Sequence, residues 1–259
     1  MPPSKKHAIC LGDMALHQIG NATLYHGDCL KIMPTIPAES VDFCITDPPY
    51  SSGGLMRGDR MQSTQAKYVT SDAATKCRNF TGDNRDQRSY LAWSTLWMGE
   101  VMAALKPGGI FATFTDWRQL PITTDAVQCA GFVWRGVGVW AKGAGTSRPV
   151  LGRYKNQCEY VVWGTKGDRK MEGQTAPGVV FASSPPVTKR MHITEKPVEV
   201  CEWLLSVTNE GDTILDPFMG SASLGEACQR LGRRYIGIEL NDHYFSVACK
   251  RIANTRQLF

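Results

Sequence analysis

Thr213-Ile-Leu-Asp-Pro-Phe218-Met-Gly220-Ser-Ala-Ser223-Leu-Gly-Glu226 is the stretch whose reading decides the fold. Its first half is an apolar run that stops at a proline, the pattern of a strand buried on both faces. Its second half turns through Gly220 into Ser223 and Glu226, the spacing of a helix cap with a reciprocal partner. Gly232 then ends the helix, Tyr235-Ile-Gly-Ile-Glu239 reads as the next strand, and Asn241 is placed to cap a last helix to about residue 253. Upstream, Thr194 is placed to cap a helix reaching about residue 208. Strands alternating with helices at this spacing predict an α/β protein with a doubly wound, mostly parallel sheet. Ligands bind such sheets beyond the carboxyl ends of the strands.

The same signals recur towards the N-terminus. A short strand covers residues 22–26, and Val41-Asp-Phe-Cys-Ile-Thr46 shows too little alternation for a strand with a wet face. It runs into Asp47-Pro-Pro-Tyr50, where two prolines must stop the ladder. Residues 51–89, dense in Gly, Ser, Thr, Asp and Arg, are too long for an ordinary connection. A helical pattern follows, with Leu91, Leu96 and the run 101–105, and Lys106-Pro-Gly-Gly109 stops it. Strands are expected at 110–114, 132–140 and 159–164, with a helix at 120–130 between the first two. Trp93 and Trp97, one helical turn apart, are expected in the core.

A chain of 259 residues, 42% hydrophobic and 20% charged, is sized for a soluble single domain over 1–259. No apolar run approaches a bilayer span and no signal-like segment follows the first residues, so a cytoplasmic protein without membrane partners is expected. Nine cysteines, odd in number and without a C-x-x-C pair, argue against a disulfide framework or a metal centre. The net charge of +5 suits a polyanionic partner. That charge is concentrated. Residues 51–89 hold seven Lys/Arg against four Asp, and residues 142–190 hold nine against Glu159, Asp168 and Glu172, so the rest of the chain is acidic. Lys250, Arg251 and Arg256 read as a solvated helix face.

Two constellations carry chemistry. In the first, Gly220 gives the turn, Gly225 lets the helix approach the sheet, and Glu239 ends the following strand, placed to accept from two ribose hydroxyls. A dinucleotide site needs a further glycine for backbone approach to a pyrophosphate, and Ala222 stands there. S-adenosylmethionine has an adenosine but no phosphate, so it tolerates that alanine. In the second, the Asp47 carboxylate and the Pro48 carbonyl present two acceptors side by side. An exocyclic amine has two N–H donors. Accepting both pushes electron density onto nitrogen and aims its lone pair at an electrophile. Tyr50 can stack on the ring that carries the amine, worth about 1–3 kcal/mol.

Taken together, these motifs resemble the β class of amino-methyltransferases acting on DNA, which carry the catalytic tetrapeptide early and the cofactor loop late. The resemblance covers most of the chain. It implies a Rossmann-like S-adenosylmethionine-dependent methyltransferase fold with circularly permuted motif order. It implies catalytic roles for Asp47, Pro48, Pro49 and Tyr50. Gly27-Asp28 matches the family's acidic contact to the cofactor's adenine, and Leu105-Lys-Pro-Gly-Gly109 and Phe114-Thr-Asp116 match its middle motifs. His192-Ile-Thr-Glu-Lys-Pro197 resembles the segment that closes over the methionine moiety, which implicates His192, Thr194 and Lys196. Asp216, Phe218, Gly220, Ser221, Ser223 and Glu239 complete the implied pocket.

The sequence departs from the family in two places. Gly220-Ser-Ala-Ser223 stands where the family usually has Gly-Ser-Gly-Thr, and only about 28 residues separate Trp163 from His192, too few for a separate recognition domain. DNA recognition is therefore expected in insertions at about 51–89 and 142–191, through Arg57, Arg60, Lys67, Arg85 and Arg88 in the first and Lys142, Arg148, Arg153 and Lys155 in the second. The first insertion, with Gly82-Asp-Asn-Arg-Asp-Gln-Arg88, resembles that of prophage-type adenine methyltransferases. The expected reaction is methylation of N6 of a flipped-out adenine in double-stranded DNA, by a homodimer that uses S-adenosylmethionine and no metal. The rival readings are N4 methylation of cytosine, methylation of RNA or of a protein side-chain amide, and a DNA-binding regulator of the same fold without turnover.

Overall fold

The computed structural model describes residues 15–50, 84–143, 151–152, 154–186, 191 and 194–255. The N-terminal part contributes β1 (Ala15–Ile19), β2 (Ala22–His26), the one-turn helix α1 (Cys29–Ile32) and β3 (Val41–Thr46). The middle contributes α2 (Gln87–Ala104), β4 (Leu105–Thr115), α3 (Leu120–Cys129), β5 (Val133–Ala141), β6 (Cys158–Thr165) and β7 (Val179–Phe181). The C-terminal part is α4 (Val198–Leu205), β8 (Thr213–Asp216), α5 (Ser223–Arg230), β9 (Arg234–Glu239) and α6 (Asp242–Asn254).

Among the described residues these strands form one sheet in the order β1-β2-β9-β8-β3-β4-β6-β5-β7. Its centre, β2-β9-β8-β3-β4, is wholly parallel, as the βα alternation predicts. The hairpin β5–β6 enters antiparallel beside β4, and β1 is an antiparallel edge. The pairing of β3 with β8, Phe43 opposite Ile214 and Cys44 opposite Leu215, joins segments about 170 residues apart. The two predicted motifs thereby end neighbouring strands.

Each face of the sheet carries its own core. Phe43, Ile45, Ile110 and Ile214 pack under α4, α5 and α6 through Val200, Leu224 and Ile252. Cys44, Phe111, Val162 and Leu215 pack under α1, α2 and α3 through Ile32, Trp97 and Val127. β3 therefore buries both faces, which is why its sequence lacks alternation; each large apolar side chain so buried contributes about 1.5–3 kcal/mol. Trp97 is fully buried, as expected of a core residue.

Local signals and structure agree at one helix start and differ at two. Asn241 caps α6 as predicted, accepting from the backbone N–H groups of His243 and Tyr244. Thr194 caps nothing: α4 begins later, at Val198, with Pro197 in the cap position and no side-chain cap bond. Ser223 is the first residue of α5 rather than its cap. The cap is Ala222, fully buried at φ +59, because the tight turn from β8 leaves the chain in the left-handed region there. That is the conformation for which a glycine is usual, and an L-residue holds it at about 1–2 kcal/mol. Gly225 behaves as read: a Cβ there would lie 2.6 Å from Ile252 Cδ1 and 2.8 Å from Tyr235 Cε1.

Candidate active site

Six adjacent strands deliver an acidic side chain to the same edge of the sheet. Asp28 follows β2, Glu239 ends β9, Asp216 ends β8, Asp47 follows β3, Asp116 follows β4, and Glu159 lies at the start of antiparallel β6. All six line one cavity of about 1170 Å³, along with Tyr50, Lys196 and Phe218. A parallel sheet makes such a site because its strand ends leave unpaired backbone and loops that diverge at the strand-order switch.

On the β9 side, the Glu239 carboxylate accepts from Gly220 N (3.0 Å) and Asn241 N (2.7 Å), tying the β8–α5 turn to the α6 cap. Burial pushes its carboxyl above the ordinary value, while those backbone N–H groups pull it back. Each oxygen keeps a second acceptor site. Asp28 caps α1 through Leu30 N at 3.0 Å and faces the same space. Phe218 lies on the cavity wall against Trp93 (5.4 Å between centroids) and Trp97 (5.1 Å, edge-on).

Asp216, expected to contact the cofactor, lines the cavity, and its carboxylate is bonded within the protein. It is buried, and its carboxylate accepts from Thr46 Oγ1 (2.7 Å), Phe218 N (3.1 Å) and Tyr235 Oη (3.1 Å). Burial raises its pKa to about 7 against the effect of those bonds. It braces the turn against β3 and β9. Ser221 is buried as well, and Arg251 reaches its carbonyl and hydroxyl at 3.4 Å.

On the β3 side, Asp47 Oδ2 pairs with the Lys196 ammonium. Lys196 is almost wholly buried and also lies 3.3 Å from Glu159 and 3.4 Å from the Tyr50 hydroxyl. Glu159 pairs in addition with Lys142 and accepts from the Tyr50 hydroxyl at 3.2 Å. Two carboxylates and two ammonium groups thus balance. Burial would raise Glu159, but Lys196 and Lys142 bring it down to about 2. Asp47 shares only Lys196 closely, so burial prevails and its carboxyl is pushed up. Asp47 Oδ1 is buried with no hydrogen-bond partner among the described residues. A buried acceptor left open costs about 1–3 kcal/mol, so its persistence points to a donor that arrives from outside.

The structure gives several of the predicted residues partners that the sequence did not show. Lys196, expected against the methionine moiety, is paired with Asp47. Lys142, expected at DNA phosphates, is paired with Glu159 and lies over the Trp140 ring. Arg85, also expected at DNA, is half-buried over the Trp93 ring at 4.0 Å and lines the cavity with it. Arg251 is no solvated residue. Its side chain is 7% exposed and bridges Glu195 (2.8 Å) and Glu226 (2.5 Å), which takes Glu226 away from any capping box. The spacing Tyr244–Ala248–Arg251 puts it on the buried stripe of α6, a signal the sequence contained. Arg88 and Lys155 are exposed, and Thr194 lines the cavity. Arg57, Arg60, Lys67, Arg148, Arg153 and His192 lie outside the described residues. Glu159 was met only as a charge in the sequence.

A cavity with carboxylates and an aromatic wall at one side, and an unsatisfied acceptor beside Tyr50 at the other, fits an adenosine-bearing methyl donor and an amine acceptor. The fold and site define an S-adenosylmethionine-dependent methyltransferase. The family model for N6/N4 methyltransferases, described as DNA methylase, matches residues 41–250, and the chain belongs to that family. It is 32% identical over 231 residues to YubD of Escherichia coli (strain K12), a methylase by name, covering 88% of each chain. Among solved structures, M1.HpyAVI in complex with SAM superposes with a TM-score of 0.64 at 24% identity, covering 89% of this chain and 98% of the other. The PvuII DNA methyltransferase, cytosine-N4-specific, gives 0.68 at 18% identity, covering 90% and 87%. Both likenesses bear on the fold. The protein is a DNA methyltransferase of the N6/N4 family, with S-adenosylmethionine as cofactor.

Proposed function

We propose that this methyltransferase acts on N6 of adenine, taken out of the duplex and held at Asp47–Tyr50. The observation that carries the proposal is the buried, unpartnered Asp47 Oδ1 at the end of β3. One amine N–H is donated to Oδ1 and the other to the Pro48 carbonyl, which holds the nitrogen lone pair towards the donor. Tyr50 stacks on the base and offsets part of the few kcal/mol that flipping costs. Glu239 accepts from the ribose hydroxyls, Asp28 faces the adenine, and Gly220 and Ser221 form the floor. β9 and β3 are two strand spacings apart, about 10 Å, which separates the ribose end from the amine end. S-adenosylmethionine would supply an electrophilic methyl: the N–C bond forms as the S–C bond breaks, the neutral thioether leaves with the bonding pair, and the resulting ammonium gives one proton to solvent water. The chain's contribution is alignment and electrostatics, so no strong base is needed.

In the family that the chain resembles, Asp at the first tetrapeptide position leans towards adenine and Ser towards cytosine, and here it is Asp47. The basic insertions, including Arg148, Arg153 and Lys155, serve as the DNA surface in this reading. The described strands β5 and β6 reach the cavity edge, since Ala141 pairs with Cys158 beside Glu159, and residues 142–157 are the chain that joins them. With so short a recognition region, a second subunit extends the footprint; sedimentation at micromolar concentration is expected to show about twice the 28.6 kDa chain mass, and a clean monomer with and without DNA removes the dimer. The decisive assay digests DNA methylated in vitro to nucleosides and identifies the product by mass. N6-methyladenine supports the proposal; N4-methylcytosine, or no product, overturns it.

A further inference from the structure

We propose that Glu159 is a positioning residue for methyl transfer, keeping Asp47 Oδ1 open and the Tyr50 ring in place. The inference rests on the reaction proposed above. Pro48 and Pro49 stiffen the backbone of the tetrapeptide but leave the side-chain torsions of Asp47 and Tyr50 free. Something else must hold them, and both holds lead to one carboxylate. Glu159 accepts from the Tyr50 hydroxyl at 3.2 Å, which fixes the ring at its far end. It also draws the Lys196 ammonium, at 3.3 Å, while that same ammonium is paired with Asp47 Oδ2.

The charge count makes this specific. Asp47 and Glu159 carry two negative charges, and Lys142 and Lys196 carry two positive ones, in a largely buried group. Removing the charge of Glu159 leaves Asp47 alone with both ammonium groups. Lys196 then has no reason to remain shared, and it or Lys142 can take the second oxygen of Asp47. The acceptor reserved for the incoming amine is lost. Glu159 acts through these neighbours and need not touch the base or the cofactor. β6 places it there: Glu159 pairs with Trp140 in the β5–β6 hairpin, and Tyr160 pairs with Thr115 at the end of β4, so the side chain reaches the catalytic edge from the strand beyond β4.

Glu159→Gln preserves size and an acceptor for the Tyr50 hydroxyl but removes the charge. With both substrates saturating, its kcat is expected to fall on the order of 100-fold, the scale of a misplaced reacting group. Affinities for duplex DNA and for the demethylated cofactor product are expected to stay within about threefold, and Glu159→Asp is expected to recover part of the loss. A merely structural role would move binding and melting temperature with kcat. Tyr50→Phe provides a second variant that removes only the anchored hydroxyl. Its kcat is expected to fall about tenfold, and the two changes combined are expected to cost less than the product of their separate effects. Wild-type protein and Asp47→Ala run in the same assay decide the underlying reading by the presence and loss of methylated product. Given active wild type, a Glu159→Gln kcat within threefold of it overturns the proposal. Should that variant not fold, full activity of Tyr50→Phe overturns the Tyr50 anchor in its place.

Discussion

Replacing Asp216 with Asn isolates what it costs to bury a carboxylate at the turn that forms the cofactor loop. The folded pKa of Asp216 is about 7, pushed up from 3.8 by burial. Between those values the folded state binds more protons than the unfolded chain, so stability falls as pH rises through the window and flattens above it. The whole window corresponds to about 4 kcal/mol, at roughly 1.4 kcal/mol per pH unit. Asn is nearly isosteric with the protonated acid. Its carbonyl can accept from Thr46 Oγ1 and Phe218 N as Oδ1 does now, and its amide can donate to the Tyr235 hydroxyl, reversing that bond. The variant therefore keeps the brace and removes the titration. Urea unfolding of both proteins from about pH 4 to about pH 8 gives the difference directly. Taking the difference cancels other groups, including Glu159, whose carboxyl at about 2 acts with the opposite sign and at lower pH. The Asn variant is expected to gain on wild type steadily up to about pH 7 and to hold its gain beyond. A difference flat to within about 0.5 kcal/mol across the window would refute the reasoning, because the buried carboxylate would then be charged throughout at no cost.

Asp47→Ala removes the acceptor used at the reacting amine, so kcat is expected to fall at least about 100-fold while cofactor affinity stays within a few-fold. Turnover above about a tenth of wild type, a barrier change under roughly 1.4 kcal/mol, contradicts its role. Asp28→Ala and Glu239→Ala are each expected to weaken binding of the demethylated cofactor by calorimetry, since adenosine donors lose their acceptors; unchanged affinity in both means the adenosine lies elsewhere. Replacing Arg148, Arg153 and Lys155 together is expected to weaken DNA binding and flatten its salt dependence, because fewer counterions are released. Equal affinity and an equal salt slope remove residues 142–157 from the DNA surface.

The local chemistry of this chain was legible residue by residue. β3, β8 and β9 read correctly because strands buried on both faces show unbroken apolar runs, and the Asn241 cap read correctly because capping is a contact over two or three residues. The cap expected at Ser223 failed because the turn, with Ala222 at positive φ, set the helix start, and the cap expected at Thr194 failed because that helix begins only after Pro197. The partners of the charged residues were the least legible. Lys142, Arg85 and Arg251 looked like solvent or phosphate contacts because composition reports a charge and not its partner. Their partners, Glu159, the Trp93 ring and the Glu195–Glu226 pair, lie between 8 and 56 residues away in the chain. The sequence by itself determined which strand ends bear a carboxylate, a proline turn or a glycine turn, since those depend on neighbours along the chain. Only the tertiary structure decided that β3 lies beside β8, that Lys196 takes one oxygen of Asp47, and that the other stays open, because those outcomes depend on which distant strands share a ladder and which buried charges then compensate one another.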